Sequence, residues 1–316
     1  MHYPTDLTLL FDATRKTIQL ITNLCEACDQ STWRQSCYNI RSVKRTLRKL
    51  QKLPRSKSKN LKKNALREAE IATCCEMYIS LCHGFIEKAI ETGQQLIACG
   101  LAKDFDLIEI KRFAAHGKKL IDQVRRRILN CEVIPHEEKI FSVFEEHKEW
   151  IAKGKAGVPV ELGLRVAAVE DQYGFILHHT VAQKTTDDQL AVPMIKDSLE
   201  KFSSLTGCSF DQGFHSQSNQ KELSSFLDLL VLPKKGKLSK ERKEIESSEE
   251  FKKCRRQHSA VESAINALEV HGLDRCPDNG LVAFKSYTSL AIVSRNLQRL
   301  GALVQKKARK VFARTQ

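Results

Sequence analysis

The sequence lacks any run of the roughly 18 consecutive apolar residues that a membrane-spanning helix needs, so it does not read as a membrane protein. The opening MHYPTDLTLLFD has no basic segment leading into an apolar one, and a secretory signal is not expected. The eleven cysteines are odd in number, include the neighbours Cys74 and Cys75, and show no pairing rhythm. That pattern argues against a secreted disulfide framework and for a reduced, cytoplasmic chain with thiols as small core residues. Cys25 and Cys28 form a CxxC, but a zinc site needs a second pair, for which only the loosely placed Cys37, Cys74 and Cys75 offer themselves. No repeat of fixed period is present. The aromatic residues Trp33, Tyr38, Tyr78 and Trp150 form no stacking array and are expected in the core.

Acid is missing from one long stretch. Between Gln30 and Arg67 there is no Asp or Glu and there are thirteen Lys or Arg. The whole chain of 316 residues carries a formal charge of +14, which favours a polyanionic partner, most simply nucleic acid. Within the basic stretch, Ile40, Val43, Leu47 and Leu50 keep one apolar face, with Arg41, Lys44, Arg45, Arg48 and Lys49 around it. This is an amphipathic basic helix suited to phosphate contacts, which tolerate any base sequence. Pro54 stops it, and RSKSKNLKK follows as a basic loop. The terminal KKARKVFAR is a second, equally non-specific basic end.

Hydrophobic periodicity divides the chain. Residues 1–135 read as helical, with apolar spacing over Leu7 to Cys25, Ile71 to Ile86 and Ile110 to Ile128, the loop tip around Gly93 to Lys103 giving a helical hairpin or small bundle. From 136 to 316 the pattern changes. Leu164–Val169 and Gly174–Val181 flank EDQYG, a hairpin signal, with a loop from Lys153 to Gly163 leading in. A helix over Asp187–Glu200, a short strand ending at Ser209–Phe210, an apolar run Leu227–Leu232 closed by Pro233 and KKGK, and long helices over Glu250–His271 and Phe284–Val311 follow. The order β-β-α-β-α-β-α predicts an α/β core.

Two carboxylates stand out. Asp211, in CSFDQGFHSQSN, directly follows a strand and precedes Gly213, which lets the chain turn and leaves room for close approach. Ser216 or Asn219 can cap the helix that begins after His215. Glu262, in RRQHSAVESAINALE, lies on a helix of small apolar residues, with His258 four and Arg255 seven positions before it on one face. Each alone is as readily an ordinary surface acid. Together they suit a pair of metal-binding carboxylates for phosphodiester chemistry by two Mg²⁺ ions.

The strings FEEHKEWIAKGKAGVPVELGLRV, CSFDQGFHSQSN, LVLPKKGKLS, RRQHSAVESAINALEVHGLDRCPDNG and RNLQRLG resemble bacterial insertion-sequence DDE transposases of the ISNCY type, over about residues 1 to 301. The resemblance implies an RNase H-like core, a mixed sheet flanked by helices. It implies that Asp211 is the middle Asp and Glu262 the final Glu of the triad, holding Mg²⁺ or Mn²⁺. It places Lys234, Lys235, Lys237, Arg255, Arg256 and His258 beside the transposon end. Double-stranded DNA is the implied partner, with homo-oligomers forming on it in the bacterial nucleoid. In such transposases the first Asp precedes a segment like HYPTD, here His2 to Asp6, so the resemblance implies a first strand and first Asp upstream of Met1, and residues 7 to 135 as an insertion after that strand. Asp6, Asp12, Glu145, Glu146, Glu149, Glu170 and Asp171 are weaker substitutes, each reading better as a solvated acid. Little or no strand transfer is expected of this chain, and a non-catalytic DNA-binding regulator is the second reading.

Overall fold

The structure is a computed structural model that describes residues 4–53, 60–152, 160–258, 260–273 and 275–312; the side chains of 260–262 and 311–312 are not described. The chain forms two compact units, 1–146 and 147–316.

The first unit is helical. α1 (Asp6–Ala27) starts at Thr5, whose hydroxyl accepts from the Thr8 amide while the Thr8 hydroxyl answers the Thr5 amide, a reciprocal cap. Its buried face carries Leu10, Ala13, Thr14, Thr17, Ile18, Ile21 and Cys25, the three- and four-residue spacing of one helix side. The buried hydroxyls of Thr14, Thr17 and Thr22 donate to carbonyls one turn back, so they cost no unmet hydrogen bond. α2 (Ser36–Lys52), α3 (Leu61–Ala98) and α4 (Ile108–Val124) pack around α1. Two long side chains pin the bundle: the Tyr78 hydroxyl donates to the Leu7 carbonyl at 2.8 Å, and Trp33 Nε1 donates to Thr92 Oγ1 at 3.2 Å. The unit extends past 135, because Ile140 and Val143 pack into its core.

Of the four aromatics expected inside, Trp33 and Tyr78 are buried. Tyr38 and Trp150 are exposed, a correction to the sequence reading; the Arg45 guanidinium lies over the Tyr38 ring, 5.9 Å from its centroid, a cation–π contact that an exposed ring can make. The cysteines also divide. Cys25, Cys75 and Cys82 are buried, whereas Cys37, Cys99 and Cys131 are exposed, and all eleven are free thiols.

The second unit carries the strands. β1 (Glu149–Ala152) pairs antiparallel with β2 (Val160–Gly163), so part of the expected loop is a strand; 153–159 lie outside the described residues. β3 (Arg165–Glu170) and β4 (Ile176–Ala182) form the expected hairpin, turned by the Asp171 carboxylate accepting from the amides of Tyr173 and Phe175. After α5 (Asp187–Lys201), β5 (Gly207–Ser209) runs parallel to β6 (Leu229–Val231), with α6 (Gln217–Leu223) between them. Among the described residues these are three two-stranded ladders rather than one joined sheet.

α5 lies on two of them. Leu190 and Met194 pack with Val169 and Ala182 of the hairpin, while Ala191, Val192 and Ile195 pack with Phe210, Leu227 and Leu232 beside the parallel pair. The expected helix over 250–271 is helical over α8 (Glu249–His258) and α9 (Ala260–Leu268), with residue 259 outside the described residues, and runs into a π turn, Glu269–Leu273, in which Gly272 takes φ +96°. α7 (Lys240–Ser247) precedes them and α10 (Leu281–Phe312) closes the chain. No helix among the described residues is long and apolar enough to cross a membrane.

Candidate functional site

Parallel pairing decides where the site lies. Ser209 of β5 stands opposite Val231 of β6, and the Phe210 amide donates to the Val231 carbonyl at 2.8 Å. The C-terminal ends of two parallel strands lie on one edge. Asp211 therefore leaves the same edge as Lys234, Lys235 and Lys237, all exposed in the turn after β6. That edge is where open α/β sheets place ligands.

Asp211 leads into a single 3-10 turn, Gln212–Phe214, and its side chain is 83% exposed. Asn219, 8% exposed, holds this loop: its Nδ2 donates to the Phe214 carbonyl at 2.9 Å and to the Asp188 carbonyl at 2.6 Å. Ser216, rather than Asn219, caps α6 through the Asn219 amide. Of the two capping candidates, one caps and the other ties the Asp211 loop to α5.

The helix α8, with Phe251 buried, packs against β5 and β6 and brings its last turn to Asp211. His258 Nε2 lies 4.0 Å from Asp211 Oδ1. Arg255 and Arg256 are exposed on the same helix. Glu262 is on α9, four residues after His258, and its side chain lies outside the described residues.

Two residues at this edge carry no sequence motif. Asp187, the first residue of α5, has its Oδ2 2.9 Å from where a Cβ on Gly213 would be. The room that Gly213 leaves is thus taken by a carboxylate of this chain. Arg242 of α7, with Glu246, sets the basic turn. Its Nε donates to Glu246 Oε1 at 2.9 Å, its Nη2 donates to the Leu232 carbonyl, and the same Glu246 oxygen accepts the Lys234 amide at 3.0 Å. The signal for Asp187 was an acid pair at a helix start after a strand; for Arg242, an i,i+4 Arg–Glu pair. The edge is electropositive. Burial lowers the His215 imidazole below its ordinary value, and the nearby Arg242 and Lys234 lower it further.

The substitute acids have structural duties. Asp6 pairs with Arg127 at 3.0 Å, Asp12 with Arg15 at 3.1 Å, and Glu149 accepts the Lys184 amide at 2.5 Å. Glu146 meets His116 and Arg112, both at 2.9 Å, which hold its carboxyl below the usual range. Glu170 is raised by burial, a pull that Arg295 opposes. Among the described residues no group of three or more His, Cys, Asp or Glu is arranged to hold a metal. Asp211 offers one hard oxygen ligand of the kind Mg²⁺ takes.

The second basic surface belongs to the first unit. α2 buries Val43, Leu47 and Leu50 and leaves Arg41, Lys44, Arg45, Arg48 and Lys49 exposed. The apolar and basic faces lie as expected; residues 54–59 lie outside the described residues, and Leu61, Lys62 and Lys63 of the expected basic loop instead open α3, because the Asn60 side chain caps it by accepting from the Lys62 and Lys63 amides. No protein-family model, curated protein or solved structure matches the chain.

Proposed function

We propose that the chain is a DNA-binding protein of the DDE-transposase kind that holds duplex DNA through phosphates. The observation that carries this reading is the meeting of Asp211 with His258, 4.0 Å apart. It brings two distant motifs, CSFDQGFHSQSN and RRQHSAVES, to the C-terminal edge of a parallel strand pair beside a basic turn. An antiparallel hairpin, a helix lying on it, then a parallel pair with a helix between is the order the RNase H-like reading expects. Asp211 and Glu262 would hold Mg²⁺ or Mn²⁺, which supplies activation of the attacking oxygen and steadies the leaving one. Lys234, Lys235, Lys237, Arg255 and Arg256 hold the phosphate backbone. A non-catalytic DNA-binding regulator is the second reading, favoured by the basic α2 surface, which needs no metal.

Mn²⁺ titration separates the readings. The proposal expects one site, seen by paramagnetic broadening or calorimetry, that weakens at least about tenfold in Asp211→Ala. Mn²⁺ affinity unchanged by Asp211→Ala and by Glu262→Ala would remove the metal-site reading and leave the regulator.

A further inference from the structure

The end of α1 carries two thiols that the proposed function does not use. No other two of the eleven cysteines are three or four positions apart. One helical turn sets the Cα atoms of Cys25 and Cys28 about 5 Å from each other, inside the about 4.4–6.8 Å that a disulfide spans. The way the helix ends keeps that spacing. The Cys28 amide donates to the Cys25 carbonyl at 3.1 Å, the Asp29 amide to the Glu26 carbonyl at 3.2 Å, and the Gln30 amide to the Cys25 carbonyl at 2.8 Å. The last two are the closing bonds of a Schellman cap, with Asp29 in the left-handed region at φ +54°, where glycine is usual. Among the described residues no group of three or more His, Cys, Asp or Glu is arranged to hold a metal, so the pair has no third ligand of that kind.

The two thiols differ in their surroundings. Cys25 is buried in the cluster of Ile18, Ile21, Trp33 and Leu96. Burial holds its thiol above the ordinary value, and Cys28 and Glu26 raise it further. Cys28 is half-buried, and its Sγ donates to the Leu101 carbonyl, 3.2 Å away in the turn between α3 and α4. An oxidant meets first the thiol that solvent reaches. We infer that Cys25 and Cys28 are a reversible dithiol–disulfide site, oxidised by a small disulfide such as oxidised glutathione, with Cys28 as the entry thiol and Cys25 as the resolving one. Cys28 loses its proton to water and attacks one sulfur of the small disulfide; that S–S bond breaks and a first small thiolate leaves. Cys25 then loses its proton to water and attacks the Cys28 sulfur; the mixed S–S bond breaks, the Cys25–Cys28 bond forms and the second small thiolate leaves. The protein gives up two electrons and two protons, and the small disulfide becomes two thiols. Closing the bond draws the Cβ atoms from the about 5–6 Å of helix neighbours to about 4 Å. Cys25 is packed, so Cys28 moves, and its hydrogen bond to Leu101 goes with its proton. Oxidation therefore releases one tie between the end of α1 and the turn after α3. The inference is independent of the transposase reading.

Equilibrating the full chain in mixtures of reduced and oxidised glutathione tests it, with acid quenching, alkylation and peptide mass mapping. The peptide holding Cys25 and Cys28 should lose two hydrogens and regain them with excess dithiol, while the exposed Cys37 and Cys99 take up glutathione instead. Cys25→Ala, which lacks the resolving thiol, should hold at least about tenfold more glutathione on Cys28 than the unaltered chain does. Cys28→Ser should slow oxidation of Cys25 at least about tenfold. Thermal unfolding shows whether each variant folds; Cys28→Ser, at a half-buried cap, decides the matter if Cys25→Ala does not. Amide exchange over residues 99–103 should quicken on oxidation of the unaltered chain. A Cys25–Cys28 peptide that keeps both hydrogens while Cys37 and Cys99 react overturns the inference. Oxidation of Cys25 as fast in Cys28→Ser overturns the entry role, and unchanged exchange over 99–103 overturns the coupling to the turn.

Discussion

Asp211 and His258, separated by 47 positions in the sequence (258 − 211), approach to 4.0 Å between Oδ1 and Nε2. An acid that is 83% exposed gains little stability from such a contact, since water and salt screen it. Its meaning is positional. It places the end of α8, with Arg255 and Arg256, over the edge from which Asp211 emerges, so the carboxylate and two exposed guanidinium groups share one surface.

Asn219 controls that surface from behind. Its Nδ2 ties the Asp211 loop to the start of α5 through two carbonyls. Asn219→Ala strands both acceptors in a nearly dry place, and the expected loss is about 1–3 kcal/mol of unfolding free energy. Chemical denaturation measures it. Asn219→Asp, which cannot donate there when ionised, should be no better.

Gly207 is a second lever. A Cβ on it would lie 2.9 Å from the Leu229 Cβ and 3.0 Å from the Leu229 carbonyl oxygen. Backbone cannot yield as a side-chain end can, so Gly207→Ala should push β5 from β6 at a cost of about 1–3 kcal/mol. Because Asp211 lies four residues on, the proposed Mn²⁺ affinity should fall with it. Unchanged stability together with unchanged Mn²⁺ binding would show that the strand pair does not position Asp211.

The second unit should weaken in mild acid. Burial lowers the imidazoles of His178 and His179 on β4; Lys201 lowers both further, while Asp197, 3.6 Å from His178, opposes the shift on that ring. A His held below its unfolded value of about 6.5 is neutral in both states at higher pH and contributes nothing there. As pH falls below that value the unfolded chain takes up protons first, so stability is lost until the folded-state value is passed. Denaturation midpoints at pH 7.5 and 5.5 should therefore differ less in a His178→Gln, His179→Gln double variant. Glu170, raised by burial, acts with opposite sign at lower pH: the folded state binds the extra proton.

Much of this was legible from periodicity. Helical spacing placed α1, α3 and α4, alternation and EDQYG placed the β3–β4 hairpin, and an acid after a strand placed Asp211. What escaped notice is non-local. Nothing around Val160 signals a strand, because β2 exists by pairing with β1 across residues 153–159. Asp187 reaches the Asp211 loop only because α5 folds back over both ladders. Tyr38 reads as core because the aromatics form no stacking array; the structure leaves it exposed, with Arg45 over its ring at 5.9 Å.

Duplex-DNA affinity as a function of salt tests the central claim most directly. Fluorescence anisotropy on labelled duplexes of unrelated sequence should show binding at about 50 mM salt, with log K falling linearly and steeply as log salt rises, and little dependence on base sequence. Arg45→Gln and Arg48→Gln in α2 should each lower affinity uniformly and reduce the slope by about one. Absence of binding at low salt, or a slope near zero, would contradict the account.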